Sequence, residues 1–173
     1  MISYQCHYEG EAKSRVQIRQ EANELKKLLG ISSSQLYIDV TRVLEEVCSY
    51  YGYDYDILED SFFEPGEHAK TDTLNHIIKL KESVYYGAVN NNGIDRFTIA
   101  HEIYHLLKHQ PHELVLYTKD YDMPIYCNPE WQAECFGAEL LMPYMKIKDM
   151  TIEQIIDECE VTPSAAWYQK NHI

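Results

Sequence analysis

An α+β fold is predicted by three observations. A helical repeat of apolar residues runs from about Arg96 to Gln110, a second helix is framed by Asn128 and Pro143, and four short runs alternate or cluster apolar residues in strand fashion. A chain of 173 residues, 45% hydrophobic and 25% charged, is ordinary globular material that can bury its own core. One domain over residues 1–173 is expected, with its functional core at about 84–143 and a helical C-terminal part at about 151–173.

From the N-terminus, Gly10 to Leu29 carries Ala12, Val16, Ile18, Ala22, Leu25, Leu28 and Leu29 among many charges and stops at Gly30, as an amphipathic helix does. Ser34 to Tyr51 reads as a second helix. Asp54–Leu58, His76–Leu80, Val84–Asn90 and Glu113–Thr118 read as strands, with Lys81-Glu82-Ser83 closing a hairpin, which makes a small, mainly antiparallel sheet. At an edge, the run 84–89 would suit pairing with an extended peptide. Asn90-Asn91-Asn92-Gly93 is a strong turn, Asp95 a fitting N-cap for the next helix and Pro111 its stop. Phe97, Ala100, Ile103, Tyr104 and Leu107 form that helix's apolar side. Residues 119–127 form a loop, after which Asn128 caps a helix with Pro129 at its first position and Pro143 at its end. Its apolar side is Trp131, Cys135, Ala138, Leu141 and Met142. A final helical pair spans Ile152 to Tyr168, turning at Val161-Thr162-Pro163, with Thr162 as N-cap.

The chemistry concentrates in His101-Glu102-Ile103-Tyr104-His105. On a helix, residues i and i+4 share a face, so His101 and His105 can aim ring nitrogens at one metal ion with Glu102 beside the water it holds. Chance supplies H-E-x-x-H in roughly one shuffled chain in 25 of this composition, so the setting inside a capped helix matters. A catalytic zinc site usually has three protein ligands, and the third is sought on the second helix, whose carboxylates are Glu130, Glu134 and Glu139. Glu130 is preferred, with Glu134 as the second choice.

Arg96-Phe97-Thr98-Ile99-Ala100-His101-Glu102-Ile103-Tyr104-His105, followed by Glu-x-x-Ala-x-x-Phe-x-Ala-x-Leu-Leu-Met-Pro from Glu130 to Pro143, resembles the ImmA/IrrE family of metallopeptidases. That resemblance implies a minimal zincin-like fold, in which a small sheet packs on the active-site helix and a second ligand-bearing helix. It places the glutamate ligand three residues before Ala133, at Glu130. Relatives often have glycine where this chain has Tyr104, and alanine where it has Gly137. Tyr104 is expected to fill space against the sheet. The C-terminal pair is similar to the family's closing helix-turn-helix-like element.

Composition narrows the function classes. No run approaches the roughly 18 apolar residues of a membrane span, and the start lacks the regions of a signal peptide, so a cytoplasmic protein is expected. Five scattered cysteines without a C-x-x-C pair suggest reduced thiols. A net charge of −13, with Glu153, Asp157, Glu158 and Glu160 on the closing pair, disfavours nucleic acid and anionic membranes. The resemblance implies zinc (Zn2+) at His101, His105 and Glu130, Glu102 as general base, and a protein substrate such as a DNA-binding helix-turn-helix repressor. The alternative is a regulator that keeps the fold and acts by binding a partner without proteolysis. His109 and His112 lie near the helix end; His109, one turn beyond His105, could approach the metal cleft, with a solvated C-terminal helix histidine the preferred reading, and the group that stabilises the oxyanion stays unassigned.

Overall fold

A computed structural model describes residues 8–116 and 122–171. Cys6, the end of the last predicted strand and part of the loop before Asn128 lie outside them. In chain order the elements are β1 (Tyr8–Glu9), α1 (Arg15–Leu28), α2 (Val40–Tyr51), β2 (Asp54–Leu58), β3 (Ala69–Asp72), β4 (Ile77–Lys81), α3 (Glu82–Val89), α4 (Gly93–Lys108), β5 (Val115–Leu116), α5 (Pro129–Leu141), α6 (Tyr144–Ile147), α7 (Ile152–Cys159) and α8 (Pro163–Asn171). The α+β class holds, with both predicted central helices in place.

Local chemistry sets most boundaries. Ser14 and Gln17 form a reciprocal capping box that starts α1 later than the apolar pattern suggests. Asp39 caps α2, so 34–39 is not helical, and Gly52 ends it in the left-handed region at φ +69°, which favours glycine. α4 starts at Asn92, whose side chain accepts from the backbone N–H groups of Ile94 and Asp95; Asp95 is a first-turn acid and not the cap. Asn128 caps α5 and Pro129 opens it, as expected.

The sheet departs from expectation in two ways. Its order is β2-β4-β3, with β2 parallel to β4 (Asp54 opposite Ile77, Leu58 opposite Lys81) and β3 antiparallel to β4 (Ala69 opposite Leu80), so it is mixed. The predicted strand Val84–Asn90 is helix α3, and Lys81-Glu82-Ser83 leads from β4 straight into it without a hairpin. Val84 and Tyr85 favour strands, but Val84 and Ala88 are the buried pair at helical spacing, packed beside α4. The edge strand beside α4 is instead β3, whose Ala-Lys-Thr-Asp sequence has no apolar alternation to announce it. β1 and β5 form a separate antiparallel ribbon.

α4 is the hub: it packs on α5, α3, α2, β3 and β4. Ile99, Ala100, Ile103 and Leu106 are fully buried, against Ala133 and Phe136 of α5 and Ile78 and Leu80 of β4 within one core. Arg96 is buried too. Its guanidinium donates to the carbonyls of Ile38, Cys159 and Glu160 at 2.7, 2.9 and 2.8 Å and lies over the Tyr37 ring, tying α4 to the α2 and α7 ends. At Gly93 an added Cβ would sit 2.8 Å from the Thr162 nitrogen, so the turn before α8 presses on the start of α4. The four described cysteines, Cys48, Cys127, Cys135 and Cys159, are free and buried.

Candidate metal centre

The side chains of His101, His105 and Glu130 converge, with ligating atoms within 4.8 Å of one another. The Nε2 atoms of the two histidines are 2.9 Å apart; Glu130 Oε2 is 3.2 Å from His101 Nε2 and Glu130 Oε1 is 3.5 Å from His105 Nε2. Three tetrahedral ligands about 2.1 Å from a zinc-sized ion lie about 3.4 Å apart, so these separations fit a metal cage. The chemistry of the set agrees. Two imidazole nitrogens facing each other and a carboxylate are mutually compatible when a cation or proton sits among them.

Electrostatics reflect that need. Burial opposes charge on His101, but the hydrogen bond it donates to Glu130 and the charges of Glu102, Glu130 and Glu134 outweigh it and raise its pKa. Burial likewise opposes the Glu130 carboxylate, yet hydrogen bonds from His101 and His105 hold its pKa well below the usual carboxylate range.

Glu134 does not join the cluster. It borders the neighbouring cavity between α4 and α5. Glu139 is buried at the far end of α5, 3.1 Å from Arg19 and 3.9 Å from Arg15, and its backbone carbonyl accepts from Lys26. It serves as an internal counterion. Glu102 lines the same cavity as the three converging side chains, and its Oε2 accepts from Thr71 Oγ1 at 2.6 Å, so strand β3 fixes the carboxylate's position.

Of two supporting residues, Gln132 escaped sequence reasoning and His109 was given a solvated reading in preference to one at the metal cleft. His109 is buried, not solvated: its Nδ1 is 2.8 Å from His105 Nδ1 and its Nε2 is 3.0 Å from Gln132 Oε1. Gln132 Nε2 donates to the carbonyls of Glu11 and Tyr126, which fixes its oxygen toward His109. His109 Nε2 therefore donates to Gln132 and its Nδ1 accepts from His105 Nδ1–H, so that in neutral His105, the form a metal would bind, the Nε2 lone pair faces the cluster. Burial, reinforced by His105 and Lys13 and opposed by Gln132, brings the His109 pKa to about 3, so this ring stays neutral. The sequence signal was the i+4 spacing from His105 to His109, the same as from His101 to His105.

Tyr104 faces away from the sheet. Its ring stacks on Phe136 with centroids 4.6 Å apart, and its hydroxyl donates to Glu21, which also meets Lys13 and Lys108. Burial, then the Glu21 carboxylate, pushes this phenol far above its ordinary pKa, and it plays a packing role against α5 and α1. The cavity over the cluster is also lined by Tyr8, Thr73, Leu114 and Pro129, with a volume of about 260 Å³. Tyr8, from β1, is its tyrosine among the described residues.

The family model for the IrrE N-terminal-like domain (Peptidase_M78) matches residues 59–166. The chain belongs to this peptidase family. The matched region of the IrrE N-terminal-like domain holds β3, α4 and α5, and so Thr71, His101, Glu102, His105 and Glu130. A zinc-metallopeptidase-like fold follows. No match is found among curated proteins. Among the described residues no helix is long and apolar enough to cross a membrane.

Proposed function

We propose that this protein is a zinc-dependent endopeptidase, and that its substrate is a helix-turn-helix repressor or a similar regulatory protein. The observation that carries the peptidase reading is the convergence of His101, His105 and Glu130 beside a Glu102 carboxylate held by Thr71. His101, His105 and Glu130 are the metal ligands of this proposal. When bound, zinc supplies Lewis acidity, which brings the pKa of a water toward neutrality and polarises the scissile carbonyl. Glu102 takes the proton of the attacking water and delivers it to the departing amine. Thr71 keeps that carboxylate over the cavity by donating to it, and Tyr8, which lines the same cavity, would offer its hydroxyl to the carbonyl oxygen as charge develops there. His109 and Gln132 hold His105 in the tautomer that a metal requires.

Strand β3 replaces the run 84–89 as the edge that an extended peptide would join, since it carries Thr71 at the cavity wall, with Thr73 just beyond its end. The acidic surface supports a basic partner over an anionic one, and reduced buried thiols agree with a cytoplasmic setting. Glu102 itself favours catalysis over binding alone, because a pure binding module has no use for a general base.

The test is incubation of zinc-loaded protein with a helix-turn-helix repressor encoded beside it. The expected result is a discrete cut that Glu102→Gln abolishes while zinc and partner binding persist. Full regulatory effect in Glu102→Gln would instead establish action by binding alone.

A further inference from the structure

Away from the metal centre, the charge balance of this chain is reversed at a second cavity. It has a volume of about 560 Å³, lies where the end of α1 and the turn after it meet the end of α5 and α6, and shares no lining residue with the metal cleft. Four of the chain's 15 lysines and arginines line it, Arg19, Lys26, Lys27 and Lys146, against one of its 28 aspartates and glutamates, Glu139. A random patch of a −13 chain would show the opposite balance. Glu139 does not neutralise the set, because its carboxylate already faces Arg19 and Arg15.

Lysines in the last turn of a helix are ordinary, so the positions of Lys26 and Lys27 on α1 would mean little alone. Lys26 is nevertheless 9% exposed. Its ammonium has three donors, and the acceptor it meets among the described residues is the Glu139 carbonyl at 2.9 Å. Lys146 comes from α6, donates to the Gln35 carbonyl at 3.4 Å, and its charge opposes that of Lys26. None of Lys26, Lys27 and Lys146 has a described carboxylate within ion-pair distance. A buried ammonium with donors to spare, facing a second ammonium and no counterion, is an arrangement that a bound anion relieves.

We propose that this cavity binds a small organic phosphate, a nucleoside diphosphate in kind, with its phosphates on Lys26, Lys27 and Lys146 and its base against Ile31, Pro143 and Met145. Three cations without counterions suit the multiple charge of a diphosphate, which lysine meets as a point charge. Ser32 and Ser33, in the turn after α1, add hydroxyl donors. The walls at Ile31, Pro143 and Met145 reward a flat, weakly polar group and offer a bare ion nothing. The volume falls within the roughly 300–1,000 Å³ of sites for small organic molecules. Nucleic acid is disfavoured, because the acidic excess over the rest of the chain repels a polyanion.

The test is isothermal titration calorimetry of the zinc-loaded protein with ADP, AMP, adenosine and inorganic phosphate at fixed ionic strength. ADP is expected to bind one to one, at least about 10-fold more tightly than AMP or inorganic phosphate, and adenosine not to bind. Lys27→Met and Lys146→Met should each weaken ADP by about 10-fold, and Lys26→Met by about 10- to 100-fold. Lys27 is exposed, so its variant keeps the fold whatever the buried one does. Zinc-free Glu130→Gln should bind ADP as the wild type does, which separates this site from the metal centre and from the peptidase reading. No saturable ADP binding, binding indifferent to all three lysine variants, or binding lost in Glu130→Gln would overturn the inference. Inorganic phosphate bound as tightly as ADP would overturn it too, as would a DNA duplex that binds more tightly than ADP and weakens in the same lysine variants.

Discussion

His109 acts one bond removed from the proposed metal, and its value lies in the single hydrogen bond that tells His105 which nitrogen to present. His109→Ala is expected to weaken zinc binding by about 10- to 100-fold in a competition titration, with the fold retained by circular dichroism. Thr71→Val removes the hydroxyl that holds Glu102 and leaves the ligands alone, so kcat should fall while zinc affinity does not change. Tyr8→Phe should lower kcat by about 100-fold with less effect on KM, if the phenol meets the developing oxyanion. Away from the site, burial brings the Lys26 pKa down to about 8, against the attraction of Glu139. Its folded pKa is depressed, so the folded state resists a charge that the unfolded chain accepts. The resulting cost is fully present below about pH 8 and fades as pH rises toward the ordinary value of 10.5. The stability of Lys26→Met relative to the wild type should therefore be more favourable at pH 7 than at pH 10.5, by about 3 kcal/mol in urea titrations.

At the scale of elements, α4 and α5 hold the chemistry because their packing is close. Gly137 sits where an added Cβ would meet Phe97 Cζ at 3.4 Å and Ala100 Cβ at 3.6 Å, both ordinary contacts. Gly137→Ala should raise stability by about 1 kcal/mol through helix propensity, measured by chemical denaturation. Gly93→Ala should do the opposite, because its Cβ would press on the backbone of Val161 and Thr162. These two helices were legible in the sequence because Asn128, Pro129, Pro111 and Pro143 punctuate them and their histidines and glutamates sit at helical spacing. α3 was not legible: Val84, Tyr85 and Tyr86 carry strand preference, and burial of Val84 and Ala88 against α4 overrides it. β3 escaped for the reverse reason, since Lys70 and Asp72 hide a strand that pairing with β4 creates. His101, Glu102 and His105 could be read from spacing alone. Thr71, Tyr8 and Gln132 could not, because each reaches the cavity or its supports from an element distant in sequence.

Across the whole molecule, a −13 chain has gathered two partly buried histidines and a glutamate into one cleft, an arrangement that a cation stabilises. A ligand bound only by the folded state at 100 times its Kd adds about 2.7 kcal/mol, so zinc should raise the melting temperature and chelation should lower it. The most direct measurement is a zinc titration of chelator-stripped protein beside its Glu130→Gln and Glu134→Gln variants. The account predicts one zinc per chain in the wild type, affinity lost by at least about 100-fold in Glu130→Gln, and wild-type affinity in Glu134→Gln. No stoichiometric zinc, or equal affinity in wild type and Glu130→Gln, would contradict it.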